Sequence, residues 1–421
     1  MQKLSLTAVT LLLGAACAPG SGGQTPSTTP APQMAHQRNE PLLSETRIRA
    51  LARNPDAWLT YLARSRAQRA SDSTVMAAEL AAIGKSAMVA AHYAHAFELT
   101  AAMTPAWFAS DSARILAQNL LSFQTPNGGW SKHVEYSKGP PAKGQSWFSE
   151  SAEWQWIATI DNSSTTGQMQ FLAMLDSVQH DQRYRDAWMR GFRYLLAAQF
   201  PNGCWPQVWP LEGGYHDAAT FNDDAITNVL TLLQRVANGS PAFVSATDRK
   251  LATDAVDRGI DCVLDAQFVV DGRPTVWGQQ HDPLTLTPSS ARSYELTSLT
   301  AQESANLLRF LMKQKNPSPR LKASIAGAAT WLKSHELFGY TYDFETGLHV
   351  SPGAGPIWAR MYEIGTDKPI FSDRNGIKLY DWDQLKDRRV GYAWYTYAPV
   401  LALKQYESWA RRNSMQATSP Q

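Results

Sequence analysis

Leu120-Leu121-Ser122-Phe123-Gln124-Thr125-Pro126-Asn127-Gly128-Gly129-Trp130 and Leu195-Leu196-Ala197-Ala198-Gln199-Phe200-Pro201-Asn202-Gly203-Cys204-Trp205 share one pattern, Leu-Leu-x-x-Gln-x-Pro-Asn-Gly-x-Trp. A degraded echo, Gln267 through Asp271-Gly272 to Trp277, follows it. The three Trp positions lie 75 and 72 residues apart, a period that fits two helices and a long loop per repeat. A helix should end near each Gln, Asn-Gly or Asp-Gly should supply the positive-φ turn that stops it, and the Trp should swing back over the helix end. Helical hairpins repeated in this way close into a ring of inner and outer helices whose loops gather at one end of a central groove. The fold class expected is therefore all-α, an (α/α) toroid.

Apolar residues at helical spacing flank the repeat turns in Asp111–Gln124, Asp186–Gln199, Ala225–Val236 and Asp248–Gln267, and strand-like alternation is rare and short. Residues 39–109 should supply the first helices of the same domain, giving a toroid over 39–412 and a disordered tail over 413–421. Residues 1–17 read as an export signal: Lys3, an apolar run through Leu13, then Gly14-Ala15-Ala16 ahead of Cys17. The run is too short to span a bilayer. Cys17 in that setting is a candidate lipidation site, and residues 18–38, rich in Pro, Ser, Thr and Gly, read as a flexible tether. An exported bacterial protein is expected: secreted, periplasmic or anchored to the outer membrane, and monomeric.

A net charge of +2, from 39 basic and 37 acidic side chains, gives no global field to recruit nucleic acid or an anionic membrane. An acidic ligand would have to be met locally. Fifteen Trp and fifteen Tyr suit stacking on sugar faces as well as packing between helices, and Trp205, Tyr215 and Trp358 fit either use. Cys204 and Cys262 are the cysteines left after Cys17; an oxidising compartment would allow them to pair, but a separation of 58 residues says nothing about geometry. No Cys/His cluster has zinc spacing.

Four polar clusters fall between the helical segments, where functional residues usually lie. Thr159-Ile160-Asp161-Asn162-Ser163-Ser164 and Thr220-Phe221-Asn222-Asp223-Asp224 are dense in hard oxygen ligands, yet both are also good helix N-caps. Asp161 and Asp223 each follow a repeat turn, so in a toroid they would converge on one rim. Ser290-Ala291-Arg292-Ser293-Tyr294-Glu295, and Pro356-Ile357-Trp358-Ala359-Arg360 with Ile370-Phe371-Ser372-Asp373-Arg374, bring arginines that serve as well in surface ion pairs as in a site. The histidines His133, His216 and His281 read as loop hydrogen-bonders.

Taken together these blocks resemble the family 10 polysaccharide lyases, pectate lyases built on an (α/α) toroid. The resemblance runs from about Ser110 to Ala398 and rests on Pro126–Trp130, Thr159–Asn162, Pro201–Gln207, Gly213–Tyr215 with Thr220–Asp224, Trp277–Pro283, Ala291–Glu295, Trp358–Glu363 and Pro369–Phe371. It implies calcium-assisted β-elimination on polygalacturonate. Carried over by motif, Asp161, Asn162 and Asp223 would hold the calcium ion (Ca2+), with Asn162 also touching substrate. Arg292 would be the base, and Arg360, Arg374 and Lys132 would bind substrate. Calcium, Arg360 and Lys132 would disfavour the Arg292 cation, and an alkaline optimum follows. Departures from the family pattern are Ser131 before Lys132, Ser163-Ser164, and Cys204 where Gly is expected and where a side chain would tighten the turn.

Rival readings are a glycoside hydrolase using Asp161 and Asp223 as its two carboxylates, a lyase for another polyuronate such as alginate, and a non-catalytic uronate-binding surface protein. A triterpene cyclase shares the Gln-x-x-x-Gly-x-Trp turn, but the sequence lacks the acidic Asp-x-Asp-Asp motif.

Overall fold

The computed structural model describes residues 41–145 and 157–413. The export signal, Cys17, the Pro/Ser/Thr tether and the tail beyond residue 413 lie outside the described residues. Helices α1 (Glu45–Leu51), α2 (Pro55–Ala82), α3 (Pro105–Phe108) and α4 (Asp111–Ser122) lead into α5 (Thr166–Gln179), α6 (Gln182–Ala198), α7 (Ala225–Ala237) and α8 (Ala246–Ala266). The chain continues through α9 (Ala301–Leu311), α10 (Pro319–Ser334) and α11 (Ala398–Arg412). The helical starts move relative to the sequence reading because the caps lie further upstream. Asp181 accepts from the Arg183 amide ahead of α6, and Ser245 accepts from the Asp248 amide ahead of α8.

Helices α4, α6, α8 and α10 alternate with α5, α7, α9 and α11, so each repeat is one helix, a Trp turn, a loop and a second helix. The Trp turn works as a clamp. Trp130, Trp205 and Trp277 are wholly buried, and each indole Nε1–H donates to a carbonyl of the helix before it, Leu120, Leu195 and Val263, at 2.9, 2.8 and 2.7 Å. Trp358 does the same to Leu332 at 2.7 Å, which marks a fourth repeat. The Gln ties neighbouring repeats: Gln124, Gln199 and Gln267 donate from Nε2 to Ala187 of α6, Ala255 of α8 and Ser324 of α10.

Glycine is required at Gly128 and Gly203. Both have φ near +100°, and a Cβ there would lie 2.5 and 2.1 Å from the carbonyl oxygens of Arg190 and Arg258. These glycines, not the residue after them, make the turn. Cys204 is therefore tolerated where the first repeat has Gly129, and it is used: it forms a disulfide with Cys262 of α8, Cα to Cα 5.5 Å.

Helix α2 packs on the second repeat. Trp58 and Tyr61 pack on Phe200, and the Tyr61 hydroxyl donates to the Ala198 carbonyl at 2.9 Å. Short antiparallel ladders sew the loops into a rim: Ala219–Thr220 with Gln280–His281, Leu299–Thr300 with Met361–Tyr362, and Trp358–Ala359 with Tyr395–Thr396. Among the described residues no helix is long and apolar enough to cross a membrane.

Candidate active site

The backbone after each Trp clamp returns to a buried threonine. The Trp130 carbonyl accepts from Thr159 N, Trp205 from Thr220 N and Trp277 from Thr300 N, at 3.0, 3.0 and 2.8 Å. Two and three residues past each threonine stand one acid and one amide: Asp161 with Asn162, Asn222 with Asp223, Gln302 with Glu303. Two residues past each Trp stand Lys132, Gln207, Gln279 and Arg360. The repeat thus delivers the same two positions, four times and three times over, to one rim.

A cavity of about 440 Å³ opens there, and Lys132, Asp161, Asn162, Asp223, Arg292 and Arg360 all line it. Gln207, Tyr215, Asn222, Glu295, Phe344 and Arg388 share the wall. Arg374 lies outside the lining; its guanidinium is half-exposed and rests on Asp387 at 3.4 Å, while its carbonyl accepts from Ser293, the residue after Arg292. Trp205 and Trp358 belong to the core as clamps, and Tyr215 faces the groove. His281 is a loop hydrogen-bonder: its ring lies between the Leu286 carbonyl and the Gly278 amide, and burial, its main cause, pushes its pKa down to about 4.

The cap reading fails for the acidic pairs. Asn162 and Asp223 sit in left-handed backbone, φ 49° and 47°, inside short 3₁₀ turns ahead of α5 and α7, and neither helix has a side-chain cap there. Ser163, Thr165 and Asp224 are left-handed as well. Asn and Asp tolerate this conformation better than other side chains, and here it is concentrated beside a cavity.

Asp161 is 3 % exposed, and its Oδ2 accepts from Lys132 Nζ and Gln207 Nε2, both at 2.9 Å. Its Oδ1 is buried with no hydrogen-bond partner in the structure. Asp223 accepts from Arg360 Nη2 at 3.2 Å and from Asn222 Nδ2 at 3.0 Å. Burial raises its pKa; Arg360 opposes that, and the like charges of Asp161, Glu303 and Glu295 add to it. An orphaned carboxylate oxygen, a neighbouring amide and a second carboxylate are the hard-oxygen donors that suit calcium. Among the described residues no group of three His, Cys, Asp or Glu stands in metal-holding array, so protein donors alone would leave a shell of about six to eight unfilled.

The basic groups of the cavity are already organised. Arg360 is buried, and its Nη2 donates to Glu303 Oε1 at 2.6 Å and to Asn222 Oδ1 at 2.9 Å. Arg292 forms a fork with Glu295, Nε to Oε2 at 2.8 Å and Nη2 to Oε1 at 2.6 Å. The Arg292 side chain is 42 % exposed whereas that of Glu295 is 4 % exposed, so the pair presents guanidinium to the groove and hides carboxylate behind it. The protein's own groups around Arg292 favour its cation rather than destabilise it. Burial works against the charge, but the Glu295 hydrogen bonds and charge outweigh it and hold the guanidinium above its ordinary range. Lys132 and Arg360 spend their charge on Asp161 and on Glu303 with Asp223.

Residues 124–401 match the family model described as pectic acid lyase. The chain belongs to the pectic acid lyase family. It is similar in structure to a family 10 polysaccharide lyase from Cellvibrio cellulosa, with a TM-score of 0.64 and 34% identity over 75% of this chain and 99% of that one. A mutant of such an enzyme from the same organism, in complex with trigalacturonic acid, matches with the same TM-score and identity over 72% of this chain and 96% of that one. No curated protein matches significantly. This pectic acid lyase family member is thus an (α/α) toroid and a lyase acting on polysaccharides, which sets aside the hydrolase and binding-protein readings.

Glu295, Glu303, Gln207, Gln279 and Asn222 are site residues to which the sequence reading gave no role. Counting from the Trp and Thr of each repeat finds all of them except Glu295. An acid three residues after an arginine carries no such signal.

Proposed function

We propose that this lyase cleaves polygalacturonate by calcium-assisted β-elimination, with Arg292 as the base and Asp161, Asn162 and Asp223 as the protein ligands of the ion. The observation that supports this reading is one cavity lined both by hard oxygen donors and by a half-exposed guanidinium backed by a buried carboxylate. The trigalacturonic acid bound by a mutant of the Cellvibrio cellulosa enzyme is consistent with this substrate class.

In the reaction the proton on carbon 5, next to the ring carboxylate, leaves for Arg292; its electron pair forms the C4–C5 double bond, and the C4–O4 bond breaks with its pair on O4, which takes up a proton from water. Calcium bound to that carboxylate would offset the negative charge that builds as the proton departs. Glu295 engages Nε and Nη2 of Arg292 and leaves Nη1 outside the fork, so Nη1 is the nitrogen assigned to receive the proton. As it does so the guanidinium charge forms against the Glu295 carboxylate, which stabilises the transition state at the cost of a scarcer neutral ground state. Rates should therefore climb into the alkaline range. Arg360 holds Asp223 and Asn222 in place, and Lys132 and Gln207 hold Asp161.

Polygalacturonate incubated with the enzyme should yield unsaturated oligogalacturonides that absorb in the ultraviolet, and chelator should abolish the signal. Arg292→Ala and Arg292→Lys should lose activity while remaining folded. Saturated products would overturn the reaction class, and near-wild-type turnover of either variant would overturn the base.

A further inference from the structure

A β-hairpin, Tyr340–Asp343 paired with Gly347–Val350, projects from the segment between α10 and α11 and brings its tip to the lip of the catalytic cavity. Phe344 stands at that tip. It lines the cavity and is 52 % exposed, an arrangement that leaves a large apolar ring facing water. The hairpin beneath it is fixed. Tyr342 donates from its hydroxyl to the Tyr392 carbonyl at 2.7 Å, and its backbone N–H donates to the Tyr397 hydroxyl at 2.8 Å. Gly347 lies so close to Trp382 that an added Cβ would come within 2.5 Å of the indole.

The tip is equally ordered. Asp343 Oδ1 accepts from the Glu345 and Thr346 amides and from the Thr346 hydroxyl, at 3.0, 2.8 and 2.9 Å. Phe344 is the first turn residue after the strand, two positions past Tyr342, whose hydroxyl reaches the Tyr392 carbonyl. Its ring, without an aromatic partner among the described residues, thus lines the same cavity as Arg292, Arg360 and Tyr392, which meet in cation–π contact.

We infer that Phe344 is a stacking platform for a pyranose ring of the polyuronate lying outside the bond being cleaved, and that the hairpin sets a subsite which only longer substrates reach. This rests on the polygalacturonate reading above. A sugar ring has an apolar face of axial C–H groups and a polar edge; a half-exposed phenyl on a rigid support captures the first and, carrying no charge, leaves the carboxylates to the arginines. Ordering costs little because the tip is held before the substrate arrives.

The test compares Phe344→Ala, Phe344→Trp and wild type on polygalacturonate and on trigalacturonate. Phe344→Ala should raise KM for the polymer about threefold to tenfold, the scale of one ring contact, more than it lowers kcat. The rise should shrink on trigalacturonate, and Phe344→Trp should restore the polymer KM. An equal effect at both lengths, or no rise in KM on the polymer, overturns the platform. Retardation of each variant in a gel containing polygalacturonate, with chelator present to stop turnover, separates the two proposals. If wild type gives no unsaturated product yet is retarded more than Phe344→Ala, the reaction fails and the platform stands; equal retardation of the two overturns the platform.

Discussion

Replacing Glu303 by Gln tests whether the third repeat's acid organises the site. The Glu303 side chain is 2 % exposed and lies 2.6 Å from Arg360 Nη2, whose own side chain is 6 % exposed, so this is a fully desolvated pair. Breaking a buried pair by removing one charge costs about 3–5 kcal/mol, because the partner charge is left behind. Two features reduce that here: the Gln carbonyl can still accept from Nη2, and Asp223 stays 3.2 Å from the same nitrogen. The loss expected is about 2–3 kcal/mol, read as a lower midpoint in guanidinium unfolding at constant slope. With Glu303 neutral, Asp223 is the one carboxylate left in hydrogen-bond contact with Arg360 among the described residues, so Arg360 competes harder with any cation for it. The calcium concentration giving half-maximal activity should therefore rise severalfold. A stability change under about 1 kcal/mol together with an unchanged calcium requirement would refute the assignment of Glu303 as the counter-charge of Arg360.

Other outcomes are equally specific. Serine at both Cys204 and Cys262 should lower stability by about 4 kcal/mol on the loop-entropy estimate for a cross-link of this separation, and wild type in reductant should shift to the same unfolding midpoint. Gln199→Ala strips the Gly203 and Ala255 carbonyls of a buried donor and Arg258 of an acceptor; a loss of about 2–4 kcal/mol should appear in thermal melts. His281 titrates near 6.5 unfolded and about 4 folded, so its contribution is complete above pH 6.5 and is lost as the pH falls through that window. Between pH 8 and pH 5 it amounts to about 2 kcal/mol. In His281→Asn, which carries no titrating group, the acid-side slope of stability should flatten, and an unchanged slope would place the titration elsewhere.

Much of this was legible because the repeat is written in residues with obligatory partners. A Gln that must pair two buried carbonyls, a Gly that must pass a neighbouring helix and a Trp that must find an acceptor for its N–H leave a fixed spacing in the chain. The fourth clamp, Trp358, went uncounted because the hairpin inserted between α10 and the Trp stretches the interval from Leu332 and erases the Gln-x-Pro-Asn-Gly prelude. At the site, Asp161, Asn162 and Asp223 are nameable from the sequence, but whether these segments cap helices is decided only by the left-handed backbone of Asn162 and Asp223 and the missing side-chain caps of α5 and α7. Glu295 was invisible for a different reason: its role is to stand behind Arg292, and depth behind another side chain leaves no periodic trace.

The left-handed turns also bear on how any scan of this rim should be interpreted. Alanine at Asp223 would both delete a carboxylate and remove the short polar side chain that eases the left-handed backbone at φ 47°, a conformation that costs other residues with a Cβ roughly 1 kcal/mol. Measured activity would then mix lost chemistry with a distorted ledge, and the same confusion waits at Asn162. Asparagine and glycine bracket the question, since the first keeps shape without charge and the second keeps the backbone without either. What the two share is the contribution of the carboxylate itself.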